Sequence, residues 1–403
     1  MTPGSQHASP DPRAGLAAAR DRLAGWLTGV SLPLWARAGV DASDGRFAES
    51  LALGTARPGE APARPRVPPR QVYAFVEGAR LGWPGDAEGV AMRGLAAFQA
   101  DFRCTDATLR LPSPEGEGGP RSFDLYDQAF ALFAYAHVAG RVDGMRLRLS
   151  REAARLRDGL FARLAHPSGG FEEDVPRRLP LRANPHMHLF EAALAWEAVS
   201  DDPRWREMAD GIAELALTRF IDPATGALRE FFDADWQPAP GREGRIIEPG
   251  HQFEWCWLLT MWARSRNRRD ELSAASRLFA IASGHGICPD RGVAIMQLRD
   301  DFSPLDPLAR LWAQTEWMKA ALVMMEEAPD EETRAARAAD ALKAVAALEA
   351  YLAVDPPGLW RDKLRADGSF VDEPAPASSL YHIVCAISEL DRVADGAGLP
   401  PGA

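Results

Sequence analysis

The chain has 403 residues, 46% of them hydrophobic, enough to bury a large core, and one catalytic domain spanning 1–403 is the expectation. A formal net charge of −11 repels phosphate backbones and anionic lipid headgroups, which excludes nucleic acid and membrane surfaces and leaves a small-molecule ligand. No run of about 18 apolar residues could span a bilayer, and no apolar stretch follows a basic start; Cys104, Cys256, Cys288 and Cys385 form no C-x-x-C pair, so a cytoplasmic monomer or homodimer with reduced thiols is expected.

In chain order, the residues up to about Pro12, with His7 among them, read as a disordered tail. A loop rich in Pro and Gly (56–69) leads into PRQVYAFVEGARLGW (69–83), an apolar helix with Arg70 at its start. A second such loop (112–122) precedes LYDQAFALFAYA (125–136). Both loops are placed to order over a ligand. The segments 125–136, HLFEAALAW (188–196) and HQFEWCWLLTMW (251–262) are apolar nearly all round, as a helix buried on both sides must be. Between and after them run amphipathic helices: Trp205, Met208, Ile212 and Leu215 share one face, as do Ala338, Leu342, Val345, Leu348 and Leu352. Short strand-like pieces at 171–175, 227–238, 292–302 and 359–371 read as small β-hairpins in the connecting loops. The chain beyond about Asp395 reads as disordered.

Apolar segments with a polar start recur at Gln71, Asp127, Met187, Gln252, Gln314 and Tyr381, at intervals of 56 to 67 residues. Each interval has room for two helices and a loop. Six such units predict an all-α chain, an (α/α)6 barrel of six helical hairpins with the all-apolar helices as its inner ring and the β-hairpins at one mouth.

Helix-start signals place the chemistry at that mouth. Asn184-Pro185 reads as an N-cap followed by the first helical residue, Pro249 opens the helix carrying His251, and Ser378 reads as the N-cap of the helix carrying His382. His188, His251 and His382 then sit in or just past first turns, where the helix dipole disfavours the imidazolium and keeps a neutral base. Glu191 and Glu254 each stand three residues after a histidine, on its helix face. Arg70 supplies a guanidinium suited to developing enediolate charge. The bland readings compete: an isolated helical histidine is usually structural, Arg70 could be one more loop charge beside Arg64 and Arg66, and Trp255, Trp257 and Trp317 read mainly as core. Trp312 shares that core reading, with stacking on a sugar ring at the mouth as its alternative.

With these residues in view, the chain resembles the N-acylglucosamine 2-epimerase superfamily. The resemblance rests on RQVYAF (70–75), YDQAF (126–130), NPHMHLFEA (184–192), EPGHQFEW (248–255), RLWAQTEW (310–317) and PASSLYHI (376–383), in order and at fitting distances. It implies an (α/α)6 barrel that opens a sugar ring and moves a proton through a cis-enediolate, with no cofactor and no metal. It places catalytic roles on Arg70, His188, His251, Glu254 and His382, and substrate contacts on Asn184, Gln314 and Glu316, to which Asp127, Glu191 and Trp312 are added. His382 and His251 are expected at the reacting carbons, with His188 aiding ring opening or orientation. PASSLYHI resembles the mannose isomerase branch, so D-mannose and D-fructose, with D-lyxose and D-xylulose, are the expected substrates. The rivals are a sugar 2-epimerase and a glycoside hydrolase using Asp127, Glu254 and Glu316. A metal site at His186-x-His188 is disfavoured, because residues two apart on a helix diverge by about 200°.

Overall fold

The computed structural model describes residues 12–111 and 122–396. The expectations for the two tails fall almost wholly outside the described residues, as does the loop 112–122 except its last residue.

Inner and outer helices alternate along the chain. The first outer helix, α1 (Pro12–Trp26), passes through a π-turn into α2 (Leu32–Ala38). The inner ring is α3 (Val67–Arg80), α5 (Leu125–Arg141), α7 (Ala183–Val199), α9 (Pro249–Arg266), α11 (Leu311–Glu326) and α13 (Ser378–Ala394). The outer ring is completed by α4 (Ala87–Phe102), α6 (Arg146–Leu164), α8 (Pro203–Leu215), α10 (Leu272–His285) and α12 (Glu331–Leu352). Each inner helix packs against the next, α13 packs against α3 to close the ring, and α1 packs against α13 as the sixth outer partner. The sixth hairpin is therefore made from the two ends of the chain, which is why the recurrence begins only at Gln71.

Local chemistry sets the helix boundaries. Asp86, Asp124, Asp202 and Asp330 cap α4, α5, α8 and α12 by accepting from Gly89, Tyr126, Arg204 and Thr333 backbone N–H groups. Proline opens α3, α8 and α9, where a missing N–H is harmless. Two starts differ from expectation by one or two residues. Asn184 lies inside the first turn of α7 instead of capping it, because Arg182 is the last extended residue, and Ser378 is the first residue of α13, after Ala377.

The inner helices bury nearly all faces; Trp196 of α7 stacks on Trp205 of α8 at 5.1 Å, bridging the rings, and Trp35 of α2 stacks at 4.9 Å on Trp360 of the loop before α13. Burying each such aromatic contributes on the order of 1.5–3 kcal/mol.

The connections differ sharply between the two ends. Short turns join each inner helix to the following outer one, whereas long loops lead from outer helices back to the next inner helix at the mouth. These long loops hold the strands, each only two or three residues long. Some form local hairpins within one loop, where Ile287 pairs with Ala294 and Gln297 with Asp306, and isolated bridges such as Phe232 to Pro238 and Leu364 to Phe370 close others. The strand before each of five inner helices pairs with the next loop round the ring: Phe123 with Val175, Leu181 with Phe232, Ile247 with Leu298, Ala309 with Leu364, and Ala375 with Leu51. Inner-helix glutamines fasten the same loops. The Gln128, Gln252 and Gln314 carboxamides each bond both the N–H and the carbonyl of one loop residue, Leu109, Leu228 and Ala294. Such stitching satisfies backbone groups that a buried loop would otherwise leave unpaired.

Candidate active site

The inner helices start at the mouth, so their first turns surround one cavity of about 250 Å3. Arg70, Asn184, His188, His251, Glu254, Trp312 and His382 all line it, together with Tyr126, Glu248, Met296, Arg310, Ser378 and Ser379. Residues from all six inner helices thereby meet in one compartment.

Each imidazole is held differently. The Nδ1 of His382 faces Glu316 Oε1 at 2.9 Å. Burial disfavours the charged ring more than Glu316 favours it, and His382 is lowered to about 4, a neutral base. His188 is also held well below the ordinary histidine range, by burial and then by Arg70 and the other two histidines. It packs edge-on to Tyr126 and lies 3.4 Å from Glu191 Oε2 through Nδ1. His251 departs from the expectation of three uncharged rings. Its Nδ1 lies 2.8 Å from Glu230 and 3.4 Å from Glu248, both buried. Burial opposes the charge, but two carboxylates outweigh burial and the helix dipole, and His251 is raised to about 10. His251 is therefore an imidazolium at neutral pH. Trp312 lies beside both rings, 5.0 Å from His251 and 5.9 Å from His382 between centroids.

Arg70 is 5% exposed, with its guanidinium 4.0 Å above the Phe130 ring and bonded to the Tyr126 hydroxyl. Its Nε has no protein partner. Arg310, the other guanidinium on the cavity wall, is held by Asp362 at 2.8 Å. Glu254 is buried with neither carboxylate oxygen bonded, and burial followed by the nearby Glu316 charge raises its pKa well above the usual range. A neutral carboxylic acid facing the cavity can donate as well as accept.

Four expected substrate contacts do not line the cavity. Gln314 spends its carboxamide on the backbone of Ala294 and Arg310, so its role is in the fold. Asp127 is buried behind Tyr126 against Arg66 at 3.1 Å, its carboxyl pushed up by burial to about 7. Glu316 lies beneath His382 and bonds it from below. Glu191 bonds the Tyr381 hydroxyl and His188. His186, set aside as a catalyst, accepts from the Phe171 N–H and anchors a loop.

Sequence reasoning missed Glu230, Glu248 and Lys319. Glu248 carried a readable signal, three residues before His251 on the same helix start. Lys319 carried one as the lone cation of an otherwise uncharged stretch, WMKAALVM, three residues after Glu316. Glu230 had none, since only the loop fold brings it to His251. Three groups, His188–Glu191–Glu254, Glu230–Glu248–His251 and Glu254–Glu316–His382, hold ligand-type atoms within 4.8 Å of one another. The second already surrounds an imidazolium, and the third already contacts the Lys319 ammonium through Glu316.

The fold and the site together define an (α/α)6 barrel whose mouth gathers acid–base groups of opposed charge around a small cavity. The chain belongs to the N-acylglucosamine 2-epimerase (GlcNAc 2-epimerase) family, whose profile matches residues 48–386. It is 50% identical over 374 residues to a protein of Rhizobium meliloti (strain 1021) named mannose-6-phosphate isomerase, covering 92% of this chain and 96% of the relative. A D-mannose isomerase of Thermobifida fusca is 28% identical over 271 residues, covering 62% and 65% of the two chains. The solved cellobiose 2-epimerase of Spirochaeta thermophila superposes with a TM-score of 0.81 at 22% identity, covering 96% of this chain and 99% of that one, and shares the fold. The protein is an enzyme of the sugar isomerase and 2-epimerase class. No helix among the described residues is long and apolar enough to cross a membrane.

Proposed function

We propose that the enzyme interconverts D-mannose and D-fructose, and D-lyxose and D-xylulose, by moving one proton between C2 and C1 of the open-chain sugar. The observation that carries this is the different setting of two imidazoles on one cavity wall: His382 faces a single carboxylate that Lys319 already holds, whereas His251 lies against both Glu230 and Glu248, which drives their proton affinities apart. Titratable groups driven apart in this way make an acid and base pair. His382, its Nδ1–H donating to Glu316, presents Nε2 to take the C2 proton of the aldose. The electrons move onto O1 as a cis-enediolate, held by Arg70 and the His251 imidazolium. Return of the proton to C1, with the O2 proton lost to a base and O1 protonated by the His251 imidazolium, gives the ketose, and His251 regains its proton from the one that O2 released. Each well-placed acid or base contributes about 10²–10⁴ in rate. His188, beside Glu191 and the protonated Glu254, serves ring opening and orientation. Asn184, 3.4 Å from His251 Nε2, is placed to bond a sugar hydroxyl.

The anion-holding capacity of the cavity favours unphosphorylated sugars. Among the described residues lining it, Arg70 is the one guanidinium without a carboxylate partner, and the enediolate requires it. The second reading, the 6-phosphate esters of the same sugars, is favoured by the name of the 50% identical relative. Epimerisation at C2 is the remaining alternative within the family. NMR of mannose, lyxose and mannose 6-phosphate incubated in D2O, with and without a chelator, separates these outcomes. Fructose appearing from free mannose in chelator supports the proposal; glucose, or turnover of the ester alone, refutes it.

A further inference from the structure

Lys319 is fully buried on α11, with Nζ 2.7 Å from Glu316 Oε2. The other oxygen of Glu316 bonds His382 Nδ1. A continuous line thus runs from the cavity wall into the core: imidazole, carboxylate, ammonium. We propose that Lys319 is a positioning residue for proton transfer, holding Glu316 ionised so that His382 keeps its proton on Nδ1 and its basic Nε2 toward the sugar. The proposal rests on the reading of His382 as the base.

The surroundings make that charge decisive. Glu191 from α7 and Glu254 from α9 face the same buried layer, Tyr381 and Cys385 approach it from α13, and Arg70 and His188 stand on its cavity side. Three carboxylates this close and this dry do not all ionise. Burial drives each toward its neutral form, and one ammonium in direct contact with Glu316 selects the one that stays charged. Beyond that contact, Lys319 Nζ lies 4.0 Å over the Trp257 ring. A buried ion pair gives little net stability over apolar residues of similar volume, so the main effect of Lys319 falls on its partner's charge. Without the ammonium, Glu316 takes up a proton and donates it to His382 Nδ1. The ring proton then resides on Nε2, and no lone pair faces the C2–H bond.

The test is Lys319→Met, a substitution of similar length without charge, compared with Glu316→Gln and the double variant. Mannose–fructose turnover supplies kcat and KM, and ¹⁵N NMR of the imidazoles reports the His382 tautomer independently of turnover. The expected result is a fall in kcat of about 10²–10⁴ with KM little changed, a His382 signal moved from the Nδ1–H to the Nε2–H form, and no further loss in the double variant beyond Glu316→Gln. Unchanged kcat or tautomer in Lys319→Met, or losses that multiply in the double variant, would overturn the proposal. If Lys319→Met does not fold, the double variant, which removes both charges together, is compared with Glu316→Gln, and any extra loss in the double overturns it. If the wild-type enzyme converts no aldose, the assigned reaction fails, and the tautomer measurement alone decides whether Lys319 governs His382.

Discussion

Glu230→Gln tests the electrostatics of the site most directly, because it removes one charge from His251 and leaves a hydrogen-bond acceptor in place. The rise of His251 from 6.5 to about 10 represents on the order of 5 kcal/mol of preference for the charged ring. Two carboxylates supply it against burial, with Glu230 at 2.8 Å the nearer and Glu248 at 3.4 Å the farther. Losing Glu230 removes the nearer carboxylate and its hydrogen bond while burial still opposes the charge, so the ring falls, by about 1.4 kcal/mol for each pH unit that it moves. The assay is kcat/KM for D-mannose against pH, which reports the free enzyme. Wild type should hold a plateau from about 4, where His382 protonates, to about 10, where His251 loses its charge. Glu230→Gln should bring the alkaline limb to lower pH, so that activity at pH 9 drops while activity at pH 6 holds. An alkaline limb that stays at its wild-type position, or a wild-type limb near 6.5, would show that the charge on His251 is not what the reaction uses.

His251→Ala and His382→Ala should each abolish turnover while leaving the thermal unfolding midpoint within a few degrees; near-normal kcat in either refutes the acid–base assignment. Gln314→Leu should leave KM unchanged and destabilise the fold by about 1–3 kcal/mol, since it strands the buried backbone of Ala294; denaturant titration reads this, and a raised KM with intact stability would restore the substrate-contact role. The folded pKa of His251 lies above its unfolded value, so its stabilising contribution is full below about 6.5 and lost as pH rises through about 10. Denaturant midpoints at pH 6 and pH 10.5 should therefore differ in wild type and differ less in His251→Ala.

The barrel was readable because burial on two sides leaves a mark in composition: segments such as 125–136 and 251–262 lack a polar face, and no other position in a two-ring fold tolerates that. The convergence of Arg70, His188, His251 and His382 followed from one direction of chain travel in the inner ring. What stayed hidden was set by contacts between loops. Asn184 could not be placed within its helix without knowing that Leu181 and Arg182 are drawn into a strand with Phe231 and Phe232. The charge on His251 was misjudged because the helix dipole acts locally and is visible in sequence, whereas Glu230 reaches the ring from a loop 21 residues away. Gln314 misled for the opposite reason, since a polar residue on a buried helix looks the same whether it faces a ligand or a strand.

The seam between α13 and α3 has a consequence for synthesis. Arg70 emerges from the ribosome more than three hundred residues before His382, and the two become neighbours only when α13 slides into the gap between α11 and α3. No nascent chain lacking that helix can assemble the cavity, so the enzyme stays catalytically silent until α13 has emerged. A break in α13 should abolish activity as thoroughly as losing a histidine.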